Sequence, residues 1–188
     1  MANSVLDHTG DITVHYINVV SLATGNNLDV SDQVVAVEVF EDIFTPFRTV
    51  TVVLKESIDL LNMLPFIGEE MVNLKIETPT SDAPLEGSFY VFRVSDRIQM
   101  KDKEVAYSLK CISYEWLADI NTKLSKTFKG KCSDIAKEII GDGLATKRDI
   151  RVTETLNQTA FTGNFWSPVK ALTHLAKIAV GENDSPTF

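Results

Sequence analysis

Cysteine is scarce in this 188-residue chain, and long apolar runs are absent from it. Cys111 and Cys132 are too few for a disulfide framework, and Cys132 has no second Cys or His at the short spacings of metal sites. We expect both thiols to be reduced. Because no stretch approaches the roughly 20 apolar residues that span a bilayer, and no basic segment with an apolar run opens the sequence, neither membrane insertion nor secretion by a signal peptide is expected.

Glycine and proline are also infrequent, at 9 and 6 residues, whereas hydrophobic residues make up 44% of the chain. This composition is typical of an ordered globular protein rather than a disordered one. A chain of this length forms one large or two small domains, and each can bury a core by packing alone.

Basic residues are in the minority, because 18 Lys and Arg stand against 26 Asp and Glu, giving a net charge of −8. Residues 1–120 hold 8 basic and 19 acidic residues, or −11, whereas residues 121–188 hold 10 and 7, or +3. Affinity for a nucleic-acid backbone comes from Lys and Arg, so the acidic part is predicted to repel it. The sequence has no Gly-rich phosphate loop, and no cofactor is expected.

Six segments of residues 1–120 are rich in β-branched and aromatic residues and predict strands. Two of them alternate apolar with mostly polar residues, as half-buried antiparallel strands do. The six segments are residues 11–20, 34–40, 49–55, 72–77, 89–94 and 105–112. A short helix is predicted over residues 57–64, which Ser57 can cap and Pro65 ends. We therefore predict that residues 1–120 form an antiparallel β-barrel or sandwich with one inserted helix.

Residues 121–188 predict a small α+β unit of helix, strand and helix. In residues 131–140, Ile135 and Ile139 are four positions apart on one helical face. The pair Ser167-Pro168 is typical of a helix N-cap followed by a first-turn proline. Between the two helices, residues 149–153 predict a short strand. The whole chain is thus predicted to be α+β, with an incomplete second unit.

A resemblance to a known family begins at residues 41–47, EDIFTPF, which lead into the predicted strand TVTVVLKES. The short helix follows, then the turn LPFIGEE and the strand VNLKIETP. In this order, the elements resemble the baseplate hub proteins of contractile-tailed bacteriophages. The second part is similar in its sequence of elements, with YEWL after a strand, SDI at a helix start and WSP at the last helix start.

The resemblance implies a tail-tube-like β-barrel in a trimeric hub that joins the tail tube to the central spike and forms part of the DNA channel. The implied partners are further copies of the chain, the tail tube protein, the central spike protein and other baseplate proteins, with DNA present only in transit. The implied location is the virion tail baseplate, after assembly in the host cytoplasm. Known hubs contain a second tube-like barrel without a counterpart here, so the chain is either a fragment of a longer hub or a shorter member.

Candidate interface residues lie in two apolar turns. Ile43, Phe44, Pro46 and Phe47 form an apolar run in a predicted loop, which a monomer core alone does not explain. Pro65 and Phe66 lie in the turn LPFIG, which as a sequence by itself is a helix stop followed by a strand entry.

Candidate channel-lining residues are the acids of the first part, whose charge would keep passing DNA from binding. The alternative is that these acids only solubilise the outer surface. Since Glu69 and Glu70 are adjacent at a strand start and point to opposite faces, a shared acid–base role is not expected, and both are interpreted as solvated charges. The candidates are Glu69, Glu70, Glu77, Asp96, Asp102 and Glu104.

Two alternatives belong to other functional classes, namely a cell-wall-degrading and a carbohydrate-binding tail-tip module. Catalysis would use the Cys132 thiol with His174 as base and Asp134 or Asp149 as orienter, but no nucleophile signature surrounds Cys132. No enzymatic activity is therefore expected.

A sugar platform would use the aromatic residues Phe89, Tyr90 and Phe92. Strand alternation places Phe89 on the opposite face from Tyr90 and Phe92, which weakens the carbohydrate-binding interpretation.

Overall fold

Alternating apolar and polar residues in the first part of the chain form one seven-stranded antiparallel sheet. The computed structural model describes residues 11–57, 60, 67–79, 83–100 and 104–181. The strands are β1 (Thr13–Ser21), β2 (Asn27–Asp29), β3 (Val34–Asp42), β4 (Thr45–Glu56), β5 (Glu70–Glu77), β6 (Leu85–Gln99) and β7 (Val105–Ser113). Their order across the sheet is β2-β1-β5-β6-β7-β4-β3, and a 3-10 helix, Ser31–Gln33, separates β2 from β3.

The sheet is not closed into a barrel, so this part of the predicted architecture is wrong. Strands β2 and β3 are consecutive in the chain yet lie at opposite edges, and no ladder joins them within the described residues. Two contacts of Ile17 in β1 give the reason: its N–H donates to Ser31 Oγ at 2.9 Å, and its carbonyl accepts from the Val30 N–H at 2.8 Å. The connecting segment thus takes the backbone groups that a closing strand would need.

The two edges nevertheless approach each other, because only residues 30–33 separate β2 from β3. Five steps of extended chain span at most roughly 18 Å, so the sheet has to curl around its apolar face. Alternation is confirmed in β5, where Val72, Leu74 and Ile76 are buried and the residues between them are half-buried. In β7 the predicted apolar face is buried at Tyr107 and Cys111, but Ser108 on the opposite face is buried too, so β7 does not alternate cleanly. The apolar side chains named here belong to one hydrophobic cluster that fills the inner face of the curled sheet.

Most of the helix predicted at residues 57–64 lies outside the described residues. Leu60 is described and is buried in the same core. Its N–H donates to Glu56 Oε2 at 2.7 Å, and Glu56 Oε1 accepts from the Tyr107 hydroxyl at 3.1 Å. The buried Glu56 carboxylate therefore ties the end of β4 to β7 and to the segment that follows β4.

The chain divides into two compact units between Ser113 and Tyr114. The second unit contains a two-stranded antiparallel sheet and three helices in the described residues, which confirms the α+β class. The elements are α1 (Tyr114–Asn121), β8 (Thr127–Lys131), α2 (Cys132–Glu138), β9 (Gln158–Thr162) and α3 (Pro168–Ile178). Helix α2 continues into a π-helical turn, Ile139–Leu144.

The strand predicted at residues 149–153 is wrong, since the strand that pairs with β8 is β9. Pairing at β9 places Phe161 opposite Phe128, with ring centroids 5.2 Å apart, whereas Ile150 remains 44% exposed. Burial of an aromatic pair favours this register. The predicted start of α3 is confirmed, because Ser167 Oγ accepts from the Lys170 N–H at 3.4 Å and Pro168 is the first helical residue.

Candidate assembly interface

A tight hairpin places the apolar run of residues 43–47 at the end of the β3–β4 ladder. Asp42 pairs with Thr45, so Ile43 and Phe44 form a two-residue tip. Asp42 Oδ1 accepts a hydrogen bond from the Phe44 N–H at 2.7 Å, which stabilises the turn. An ion pair between Arg48 and Glu41 joins the two strands just behind it. The side chains at the tip are therefore held on a defined scaffold.

The tip is exposed, as the sequence predicts for a loop. Ile43 is 93% and Phe44 is 83% exposed, and Pro46 is also exposed, whereas Phe47 is half-buried. Of the four candidates, Ile43 and Phe44 thus provide most of the accessible apolar surface. Two large apolar side chains side by side at a tip indicate a contact surface more strongly than scattered ones do.

Strand β3 extends this apolar surface along an edge of the sheet, because β4 is its one partner strand in the described part of the chain. Val35 is 64% and Phe40 is 57% exposed. Sequence reasoning missed both residues, although VVAVEVF is apolar on both faces, which is a signal for a strand covered on two sides. An edge strand also presents unpaired backbone groups to a neighbour.

The second candidate turn is only partly described, since Pro65 and Phe66 lie outside the described residues. Its last part is built around Glu70, whose Oε1 accepts from the Ile67 N–H at 2.8 Å and whose Oε2 accepts from the Gly68 N–H at 3.0 Å. Gly68 has a φ of 98°, which favours glycine. Glu70 is 1% exposed, so its interpretation as a solvated charge is wrong.

The remaining candidate channel acids do not form one row. Glu69 and Asp96 are exposed, and Asp96 accepts from Ser95 Oγ at 2.8 Å. Glu77 lies 3.1 Å from His15 Nε2, and Glu104 lies 2.9 Å from Lys55 Nζ. Asp102 lies outside the described residues. Since the inner face of the sheet is filled by the core, only outer surfaces are available to line a channel.

The groups considered for catalysis lie in packed surroundings. Cys132 is 2% exposed in the second core, and no hydrogen bond joins it to His174 among the described residues. The His174 ring instead packs edge-on against Phe161 and Trp166, at centroid distances of 5.2 and 5.3 Å. Across the described part of the chain, no group of three or more His, Cys, Asp or Glu is arranged to hold a metal ion.

Both thiols are expected to be unreactive in the folded chain. Burial raises the pKa of the Cys111 thiol to about 12, so it stays protonated at pH 8, and Cys132 is shielded by packing. A disulfide reagent at pH 8 should label neither thiol before unfolding and both in denaturant. Rapid labelling of Cys132 in a chain that keeps its near-ultraviolet circular dichroism would contradict this prediction.

The three aromatic residues of β6 lie on the faces that the alternation predicts, although the ladder to β7 is irregular beside Phe92. Phe89 is buried, Tyr90 is half-buried and Phe92 is 52% exposed, which confirms that Phe89 faces away from the other two. A register shift between Val91 and Arg93 interrupts the ladder to β7.

Comparisons with solved structures include a likeness to a secretion-system protein. No family model and no curated protein matches the sequence. The chain is similar in structure to the E. coli c3393 protein, described as a component of the type VI secretion system with structural similarity to T4 bacteriophage tail proteins gp27 and gp5. The TM-score is 0.46 with 6% identity, over 89% of this chain and 42% of that one. The chain therefore spans less than half of that protein, and at this TM-score the likeness carries no argument about function.

None of the helices in the described residues has the length and apolar character required to cross a membrane.

Proposed function

We propose that this chain is a structural, non-enzymatic component of a phage tail baseplate hub, which joins the tail tube to the central spike. The observation that carries the proposal is the exposed hairpin tip, where Ile43 is 93% and Phe44 is 83% exposed. The same tip lies in the segment EDIFTPF, with which the sequence resemblance to baseplate hubs begins.

The geometry of the tip suits a contact between copies of the chain or with a neighbouring ring. The Asp42 turn and the Arg48–Glu41 ion pair fix the tip before binding, which lowers the entropy lost on association. In a trimer, a tip that enters a different surface on the next copy makes a head-to-tail contact, and such contacts close into a ring. Exposed acids such as Glu69 and Asp96 would give the ring a surface that does not bind DNA in transit.

Substitution of the tip should break this assembly without unfolding the chain. We expect Phe44→Asp to weaken self-association, or incorporation into the tail, by roughly 30-fold or more, which corresponds to about 2 kcal/mol for a central contact residue. Ile98→Asp is the matched control, because Ile98 is 61% exposed but lies in β6. Sedimentation of the purified variants and electron microscopy of tails measure the effect.

Two results would overturn the proposal. One is a wild-type chain that stays monomeric and occupies no axial ring in a particle. The other is an equal loss of assembly in Ile98→Asp and Phe44→Asp, since the tip would then have no special role.

A further inference from the structure

Three neighbouring strands place a row of polar side chains on the outer face of the sheet. Asn18 in β1 pairs with Asn73 in β5, and Asn73 pairs with Ser88 in β6. Directly paired residues point to the same face, so the two amides and the hydroxyl lie side by side. Together with Tyr16 and Glu86 they line an open groove of about 420 Å³, a size within the range of small-ligand sites.

The adjoining row of side chains forms a fixed wall of the groove. Tyr16, Lys75 and Glu86 are paired across the same three strands. The Tyr16 hydroxyl donates to Glu86 Oε1 at 3.1 Å, and Lys75 Nζ lies 3.0 Å from Glu86 Oε2. The hydrogen bond from Lys75 lowers the pKa of Glu86, which keeps this carboxylate charged. The lysine beside the groove is thus neutralised, which disfavours phosphate and other anionic ligands.

The asparagine row, in contrast, has hydrogen-bonding capacity that the protein does not use. The side-chain oxygens of Asn18 and Asn73 are shielded from solvent and have no hydrogen-bond partner within the described residues. Polar atoms left in this state are unfavourable, and most such atoms in folded proteins are paired. Both residues are half-buried and line the groove, and χ2 of asparagine is a broad torsion, so rotation brings each Oδ1 within reach of a bound molecule. A ligand that donates to these oxygens would use the unpaired acceptors.

We infer that this groove binds a neutral carbohydrate. Sugar hydroxyl groups donate and accept in turn, which suits carboxamides and the Ser88 hydroxyl, and an apolar sugar face can pack against the Tyr16 ring. The polar lining disfavours lipids, and the neutralised Lys75 disfavours acidic sugars. The groove is formed by β1, β5 and β6, whereas the tip lies between β3 and β4, so this inference does not depend on the proposed assembly.

Titration of the full chain with defined oligosaccharides tests the inference. The probes are the tetramers of N-acetylglucosamine, glucose, mannose and galactose, with tetragalacturonate as the acidic comparison. We expect at least one neutral tetramer to bind, and Asn73→Ala and Ser88→Ala each to weaken its binding about 10-fold, as the loss of one hydrogen bond does. Asn26→Ala, in the exposed turn between β1 and β2, is the matched control and should bind as the wild type does.

Calorimetry gives the affinities, and the thermal midpoint of each variant shows whether it is folded. Ser88 is exposed, so Ser88→Ala keeps the test decisive if Asn73→Ala unfolds. The inference is overturned if no neutral tetramer binds at about 10 mM, if tetragalacturonate binds most tightly, or if Ser88→Ala and Asn73→Ala bind as the wild type does.

Discussion

Replacing Glu70 with Ala is expected to lower the free energy of unfolding by roughly 2–4 kcal/mol, because two backbone N–H groups lose a charged acceptor. The Glu70 carboxylate is 1% exposed and holds the N–H groups of Ile67 and Gly68 at 2.8 and 3.0 Å. No other described side chain accepts from these two groups, and the Ala variant also leaves space at the start of β5. Denaturant unfolding at neutral pH measures the difference.

Two variants separate the role of this carboxylate from a general effect of charge. Glu70→Gln keeps one acceptor oxygen and should lose about half as much stability as Glu70→Ala. Glu69→Ala removes the adjacent exposed acid and should change stability by less than about 0.5 kcal/mol. If Glu69→Ala and Glu70→Ala are equally stable, the Glu70 hydrogen bonds do not hold this turn.

Phe89→Ala is expected to cost still more, about 3–5 kcal/mol, because it opens a cavity in the main core. Phe89 is 2% exposed in β6, and its ring reaches beneath Gly87, where an added Cβ would lie 3.2 Å from the ring. The neighbouring strands cannot easily collapse into the space, since they are held by ladders on both sides of β6. Such a loss is a large part of the 5–15 kcal/mol that stabilises a typical domain.

The control for this variant lies three residues along the same strand. Phe92 is 52% exposed, so Phe92→Ala removes an aromatic ring of the same size with less buried area. Its effect should be less than half that of Phe89→Ala. Similar losses in the two variants would show that the inner and outer faces of β6 are not distinguished by burial as described.

Strand periodicity was the most informative part of the sequence. The alternation of Val72, Leu74 and Ile76 predicted which face of β5 is buried, and the structure confirms it. The same alternation continues back to Glu70, which lies on the buried face although acids are rarely buried. The strand alternation thus indicated that Glu70 is buried, but its residue type favoured the interpretation as a solvated charge.

Other features depend on pairing at long range and could not be read from local patterns. Strand β2 has only three residues, and the separation of β2 from β3 follows from contacts of Ile17 with Val30 and Ser31. Likewise, residues 149–153 have strand-like composition, but β9 offers Phe161 as an aromatic partner for Phe128. Tertiary packing decides between such segments, since strand propensity depends strongly on context.

The candidate site was predictable in part. The apolar run of residues 43–47 indicated an exposed loop, whereas the hairpin that fixes it became visible only with the Asp42–Thr45 pair. Asn18 and Asn73 are far apart in sequence, and only the register of β1 with β5 brings their amides together. Neither amide belongs to a recognisable motif, so local patterns could not single them out.

The strand order also sets the sequence in which the first unit can form during synthesis. Strand β1 pairs with β2 and β5. The β1–β5 ladder cannot be completed until Glu77, the partner of Thr13, has been synthesised. The β3–β4 hairpin is local and closes as soon as both strands are made, whereas distant pairings form slowly. At about 5–20 residues per second, a nascent chain therefore presents the Ile43–Phe44 tip seconds before the sheet behind it is finished. Neighbouring ribosomes on one message bring such tips close together, so the self-association proposed above would begin on incomplete chains.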